Sequence, residues 1–216
     1  MPAAKRPLFV IMARDRPVAV ILRRGPSDWY HVILWDTARD RFERGAWLRG
    51  RIYEDRCDLS PDGELLLAFV HQGRKAGSAT THAWSAVSRP PWLHALALWP
   101  QGTTYGGGGR FTGKRSLTLR NGRPRAHPDH PDAGLEVTSG NPPAHTTTGR
   151  VDGAEWSGLD QSGAVVFTRG HVVYRRTRRG DRALADFGGL KPEPIDAPED
   201  ARRPIVSANP RARRRR

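Results

Sequence analysis

The 216-residue chain carries 36 basic against 22 acidic side chains, a formal charge of +14, and only 37% hydrophobic residues. No run approaches the ~20 apolar residues of a membrane-spanning helix, and a single cysteine, Cys57, excludes an intrachain disulfide. Together these predict a soluble protein suited to a reducing compartment, with the cytoplasm as its expected location and no membrane partner.

The first apolar run, Leu8–Ala13, is followed directly by Arg14-Asp15-Arg16-Pro17 and then by Val18–Leu22. It has neither a full hydrophobic region nor a small-residue cleavage site, so it predicts a strand, a turn and a second strand instead of a secretory leader. Trp29–Trp35 continues as an aromatic and aliphatic strand, closed by Asp36-Thr37-Ala38-Arg39-Asp40 and returned by Phe42–Leu48. Gly25-Pro26, Gly45 and Gly50 punctuate these runs at intervals too short for helices. Arg51–Cys57 alternates loosely and predicts a further strand.

Asp58-Leu59-Ser60-Pro61-Asp62-Gly63 is the strongest local signal. Pro61 presets φ, Asp62 can bond its own backbone, and Gly63 accepts positive φ. The run Glu64–Val70 after it is short enough for a buried strand. Leu159-Asp160-Gln161-Ser162-Gly163 followed by Ala164–Phe167 repeats the pattern, and His171–Arg175 and Ala183–Phe187 flank Arg178-Arg179-Gly180-Asp181 as a hairpin. A Ser-Pro-Asp-Gly turn feeding an apolar strand resembles the blade motif of WD-repeat and Tol-type β-propellers, and Trp35-Asp36 is similar to the dipeptide that names the WD repeat. The resemblance implies blade-like blocks near residues 17–49, 58–88 and 159–187. Roughly twelve to fourteen strands would make three or four blades. The segment Trp84–Leu93, with Ala95–Pro100 and Gly106–Gly109, is also similar to a bacterial family that implies no activity.

The expected fold is therefore all-β, an irregular propeller-like stack of antiparallel sheets over residues 1–190. A Pro- and His-rich loop occupies about 121–150, where only Leu135-Glu136-Val137 predicts a strand. Residues 191–216 read as an extended, disordered basic tail. Seven arginines and no acid fall in residues 201–216, which leaves +7 for residues 1–200.

Few residues carry recognisable chemistry. Gly108-Gly109-Arg110-Phe111-Thr112-Gly113-Lys114 has the spacing of a phosphate-binding loop, but Arg115 stands where Ser or Thr would hold Mg²⁺, and a strand follows where a helix is needed. His127, Asp129, His130 and Asp132 are ligand types for zinc, though the prolines after both histidines stiffen the path. Arg89, Trp92, Tyr105 and Arg110 are candidate binding residues, Trp92 because two prolines hold it in a bend. Arg211, Arg213, Arg214, Arg215 and Arg216 would contact any polyanion through counterion release. Cys57 beside Asp58, without a sequence-near histidine, predicts a buried hydrophobe and not a nucleophile. No catalytic motif emerges and no cofactor is expected. The sequence favours a non-enzymatic binding or scaffold module with a protein partner, over an Arg-driven protein with weak, non-specific nucleic-acid contact or a metal-dependent hydrolase.

Overall fold

The computed structural model describes residues 6–73, 82–121, 125–143 and 151–205. Among these the chain is all-β, and its strands group into four sheets taken in chain order. Strands β1 (Leu8–Met12), β2 (Val18–Arg24), β3 (Trp29–Asp36) and β4 (Arg41–Arg49) form an antiparallel meander. In the second sheet β5 (Arg51–Ile52) and β6 (Asp58–Leu59) both pair with β7 (Leu66–His71), which continues to β8 (Ala83–Ser88) and β9 (Ala97–Pro100). The fourth is again a meander, β13 (Trp156–Leu159), β14 (Val165–Arg169), β15 (Val172–Thr177) and β16 (Gly180–Asp186).

The third sheet departs from the expected antiparallel plan. Strand β10 (Gly109–Phe111) is antiparallel to β11 (Ser116–Arg120), but β11 pairs in parallel with β12 (Glu136–Gly140). A parallel neighbour needs a crossover of a dozen or more residues to bring the chain back to the same end. The Pro-rich stretch after Arg120 supplies that length. β12 begins at Glu136, within the segment predicted as the loop's one strand.

Burial falls from the first strand to the last in the first, third and fourth sheets. β1, β2 and β3 are buried through most of their length, whereas β4 and β16 are largely exposed. Unbroken apolar runs such as Leu8-Phe9-Val10-Ile11 suit strands covered on both faces. The period of two divides the side chains between neighbouring sheets. From β3, Tyr30 meets Glu54 of the second sheet, while Trp35 packs with Phe42 and receives Arg175 of the fourth sheet over its ring. From β7, Leu66, Ala68 and Val70 join the core shared with the first sheet, and Leu67 joins a second core with Trp99, Phe111, Leu117 and Leu119. The packing order is thus fourth, first, second, third sheet.

The turns that leave β1, β6, β10 and β13 gather at one end. Asp15 N donates to the Pro61 carbonyl, Arg14 Nη2 to the Phe111 carbonyl, and Gln161 Nε2 to the carbonyls of Ala13 and Val18. The two turns read as copies also bond alike. Gly63 N donates to the Ser60 carbonyl as Gly163 N does to that of Asp160, and both glycines adopt positive φ (+75° and +82°). Buried Asp58 receives Phe111 N at 2.7 Å and so ties the second sheet to the third.

Residues 191–198 run without secondary structure, but residues 199–205 depart from the extended, disordered reading. Helix α1 (Glu199–Arg202) buries Ala201, and Ile205 enters the second core. Arg89 donates to the carbonyls of Arg203 and Pro204 and fastens the segment. A short apolar pair, Ile205-Val206, among many arginines is a weak sequence signal, yet Ile205 anchors the segment where a ready groove receives it.

Arginine is the recurrent cross-link. Arg23 donates to the carbonyls of Gly188 and Leu190, Arg56 to those of Thr104 and Gly106, Arg120 to that of Pro142, and Arg175 to that of Thr37. The planar fork with five donors suits such carbonyl-rich strand ends, which a lysine would serve less well.

Candidate cationic cavity

A cavity of about 690 Å³ opens at the sheet ends opposite the gathered turns. It lies where β2 passes into β3, β4 into β5 and β14 into β15. Gly50 permits the close approach there. Its φ is +147°, and a Cβ would stand 2.6 Å from Gln72 Cγ and 2.8 Å from the His71 carbonyl. The β2–β3 turn is fixed by Gly25 N donating to the Trp29 carbonyl at 2.8 Å and Gly50 N to that of Asp28 at 2.7 Å.

Arg6, Arg24, Arg51, His71 and His171 line this cavity with Trp29 and Tyr30, and Asp28 is the only carboxylate residue in the wall among the described residues. Arg24 is held from behind: its Nε and Nη2 donate to Glu54 Oε1 at 2.7 Å and Oε2 at 3.3 Å, and its guanidinium lies 5.8 Å from the centre of the Tyr30 ring. The hydrogen bonds to Glu54 raise the Arg24 pKa above its ordinary value, so this cation is permanent. Tyr30 Oη donates to the same Glu54 Oε1 at 3.0 Å. Burial, then the Glu54 charge, push the phenol up, so it stays protonated. Arg51 is steadied by the Tyr53 ring at 4.9 Å. Asp28 pairs outward with Arg49 at 3.3 Å. Neither Arg6 nor Arg51 has a carboxylate within ion-pair distance among the described residues. The buried Nδ1 of His171 has no hydrogen-bond partner among the described residues.

A second cavity of about 630 Å³ lies near the gathered turns, between the first and fourth sheets. Arg175 joins Asp40 and Asp160 there, with a 2.7 Å bond to Asp40, and Arg182 also reaches Asp40 at 2.5 Å. Burial opposes ionisation of Asp160, but bonds from Ser162, Arg175 and the Ala164 amide overcome it and hold the carboxyl below its usual range. Thr37 Oγ1 donates to Gln161 Oε1 at 2.7 Å. Its charged groups are mutually occupied, and the arrangement joins two sheets.

The residues singled out from sequence do not meet in one place. Arg110 is buried and donates to the carbonyls of Cys57, Gly109 and Asp55. Arg89 is spent on the 203–204 backbone, Trp92 is half-buried, and Tyr105 is 88% exposed. The glycine run is packed where a phosphate-binding loop must stay open: Gly107 lies against the Phe69 ring, Gly108 against the Arg56 backbone, and Gly108 N is taken by Ser85 Oγ at 2.8 Å. His127 and His130 form an isolated bridge with rings 5.7 Å apart, and Asp129 Oδ2 stands 3.9 Å from His127 Nδ1. No group of three or more His, Cys, Asp or Glu able to hold a metal gathers among the described residues, so His127, Asp129, His130 and Asp132 do not assemble a metal site there. Cys57 is buried, its thiol donates to the Tyr53 carbonyl at 3.2 Å, and burial pushes its pKa up, away from nucleophilic chemistry. Arg211, Arg213, Arg214, Arg215 and Arg216 lie outside the described residues.

Sequence reasoning passed over the cavity residues Arg24, Tyr30 and Arg51. The available signal was Arg23-Arg24-Gly25-Pro26 and Gly50-Arg51, arginines beside turn-forming residues at strand ends with Trp29-Tyr30 between them. No family model matches the chain, and no curated protein or solved structure matches it. No helix among the described residues is long and apolar enough to cross a membrane.

Proposed function

We propose that the chain is a non-enzymatic binding module, built as a propeller-like stack, that recognises an anionic ligand in the cationic cavity. The observation that carries this reading is the positive wall: Arg6 and Arg51 without carboxylate partners among the described residues, beside an Arg24 held in place by Glu54. Preset cations and aromatic walls recognise a ligand without having to reorganise. The propeller comparison draws support from the first strands, β1 running against β6 and β13 and β10 against β6, and from the gathering of their turns at one end. In such a stack the opposite end is free to bind.

The alternatives draw less support. Many described arginines that raise the formal charge are engaged with carbonyls or carboxylates inside the fold, which leaves fewer of them for phosphate backbones. The test is a thermal-unfolding screen of the full chain against small anions and short acidic peptides, with each ligand recovered afterwards. We expect one class of anion to raise the melting temperature, to lose that effect in Arg51→Glu, and to be recovered unchanged. A screen without any stabilising anion, or chemical conversion of the one that stabilises, would overturn the reading.

A further inference from the structure

The ligand class can be narrowed from the charge and shape of the same wall, an inference that rests on the anion-binding reading above. Three arginines line the cavity, Arg6, Arg24 and Arg51. Arg24 is neutralised by Glu54, and the one wall carboxylate, Asp28, already has Arg49. Two cations therefore stand unmatched, and a monocarboxylate would answer only one of them. A phosphomonoester carries about −1.5 to −2 charges at neutral pH and presents three acceptor oxygens to Arg donors.

The rest of the wall is apolar or aromatic. The Trp29 ring is half-buried and the Tyr30 ring is buried, with Pro7 beside them. Aromatic walls favour a flat ring over an aliphatic chain. A cavity of about 690 Å³ is in the range that encloses small molecules and is too small for a folded partner. Inorganic phosphate alone would satisfy the charge but leave the aromatic wall wet.

We propose that the cavity binds a phosphomonoester attached to a planar ring, of about mononucleotide size, with the phosphate taken by Arg6 and Arg51 and the ring set against Trp29. Binding here is recognition without bond cleavage.

Isothermal titration of the full chain at ~150 mM salt tests it, with adenosine monophosphate, phenyl phosphate, adenosine, inorganic phosphate and a dicarboxylate, phthalate, as probes. Adenosine monophosphate binds, inorganic phosphate binds at least tenfold more weakly, and adenosine does not bind measurably. Arg51→Ala and Arg6→Ala each weaken adenosine monophosphate about tenfold, roughly one charged contact. Arg182→Ala, at the second cavity, leaves the affinity unchanged, and each variant is first checked by its melting curve. Equal binding of adenosine and its monophosphate, or unchanged affinity in Arg51→Ala, overturns the assignment. If phthalate alone binds and Arg51→Ala abolishes it, the phosphomonoester falls while the anion-binding module stands. If no probe binds, the phosphomonoester falls, and the broader anion screen decides the module.

Discussion

The two cavities are of similar size and both are rich in arginine, yet they differ in how that arginine is spent. At the gathered turns Arg175 sits between Asp40 and Asp160, and the ion pairs join the first and fourth sheets. At the opposite end Arg51 stacks on Tyr53 with no carboxylate in reach among the described residues. The same residue type is a fastening in one place and a vacancy for negative charge in the other. Net charge cannot separate these cases; only the pairing can.

The sharpest break in that contrast comes from the fastening. Arg175→Ala leaves Asp160 buried, its side chain 2% exposed, without its cation. We expect a loss of about 3–5 kcal/mol in urea unfolding, the usual result of stripping one partner from a buried pair. Replacing Arg175 and Asp160 together by Met and Asn should cost clearly less. A double loss equal to the sum of the two single losses would mean that the pair is not coupled.

An intermediate case lies inside the first sheet. Arg23 and His31 face each other across β2 and β3, 2% and 1% exposed, and His31 stacks on Trp47 at 4.2 Å. Burial, with Arg23 and Arg44 nearby, lowers the His31 pKa to about 4. The folded protein thus binds this proton less readily than the unfolded chain. Stability from His31 is complete above about pH 6.5 and is lost as pH falls from there to about 4, by up to about 3 kcal/mol. His31→Phe keeps the stack and should flatten unfolding free energy across that window. Asp160 adds a separate loss below about pH 4, where the unfolded chain's carboxyl takes a proton that the folded one, held low, still resists.

Glu54→Gln sharpens the comparison from the other side. It removes the carboxylate that Arg24 and Tyr30 share and should cost about 2 kcal/mol of stability in denaturant titration. It also releases the Arg24 charge, so anion affinity should rise severalfold even as the fold weakens. The smallest structural effect belongs to Arg51→Ala, expected to change stability by under about 0.5 kcal/mol while weakening the anion. A large loss of stability there would place Arg51 with the fastenings.

Much of the architecture was legible because it depends on local patterns. Apolar runs of four to eight residues broken by turn chemistry gave the strands, and Asp62-Gly63 and Ser162-Gly163 gave turns with matching hydrogen bonds. Trp35 and Trp99, which sit within apolar runs, are buried, while Trp84 is only half-buried. The parallel β11–β12 pair was hidden because register between distant strands leaves no local trace. The anchoring of Ile205 depends on a groove made by residues far away in the chain. The cavity was illegible for the same reason: Arg6, Arg24, Arg51 and His171 come from four separate stretches. Arg110 misled because a charged residue in a glycine run looks exposed, whereas three carbonyls draw it inside.

Amide hydrogen exchange with and without adenosine monophosphate compares both cavities in one experiment. Added protection should fall on residues 24–30, 50–53 and 169–172, with none at 37–40 or 160–163. Protection centred on the Asp40–Arg175–Asp160 cavity, or spread evenly over the chain, would contradict the assignment of recognition to the unpaired arginines.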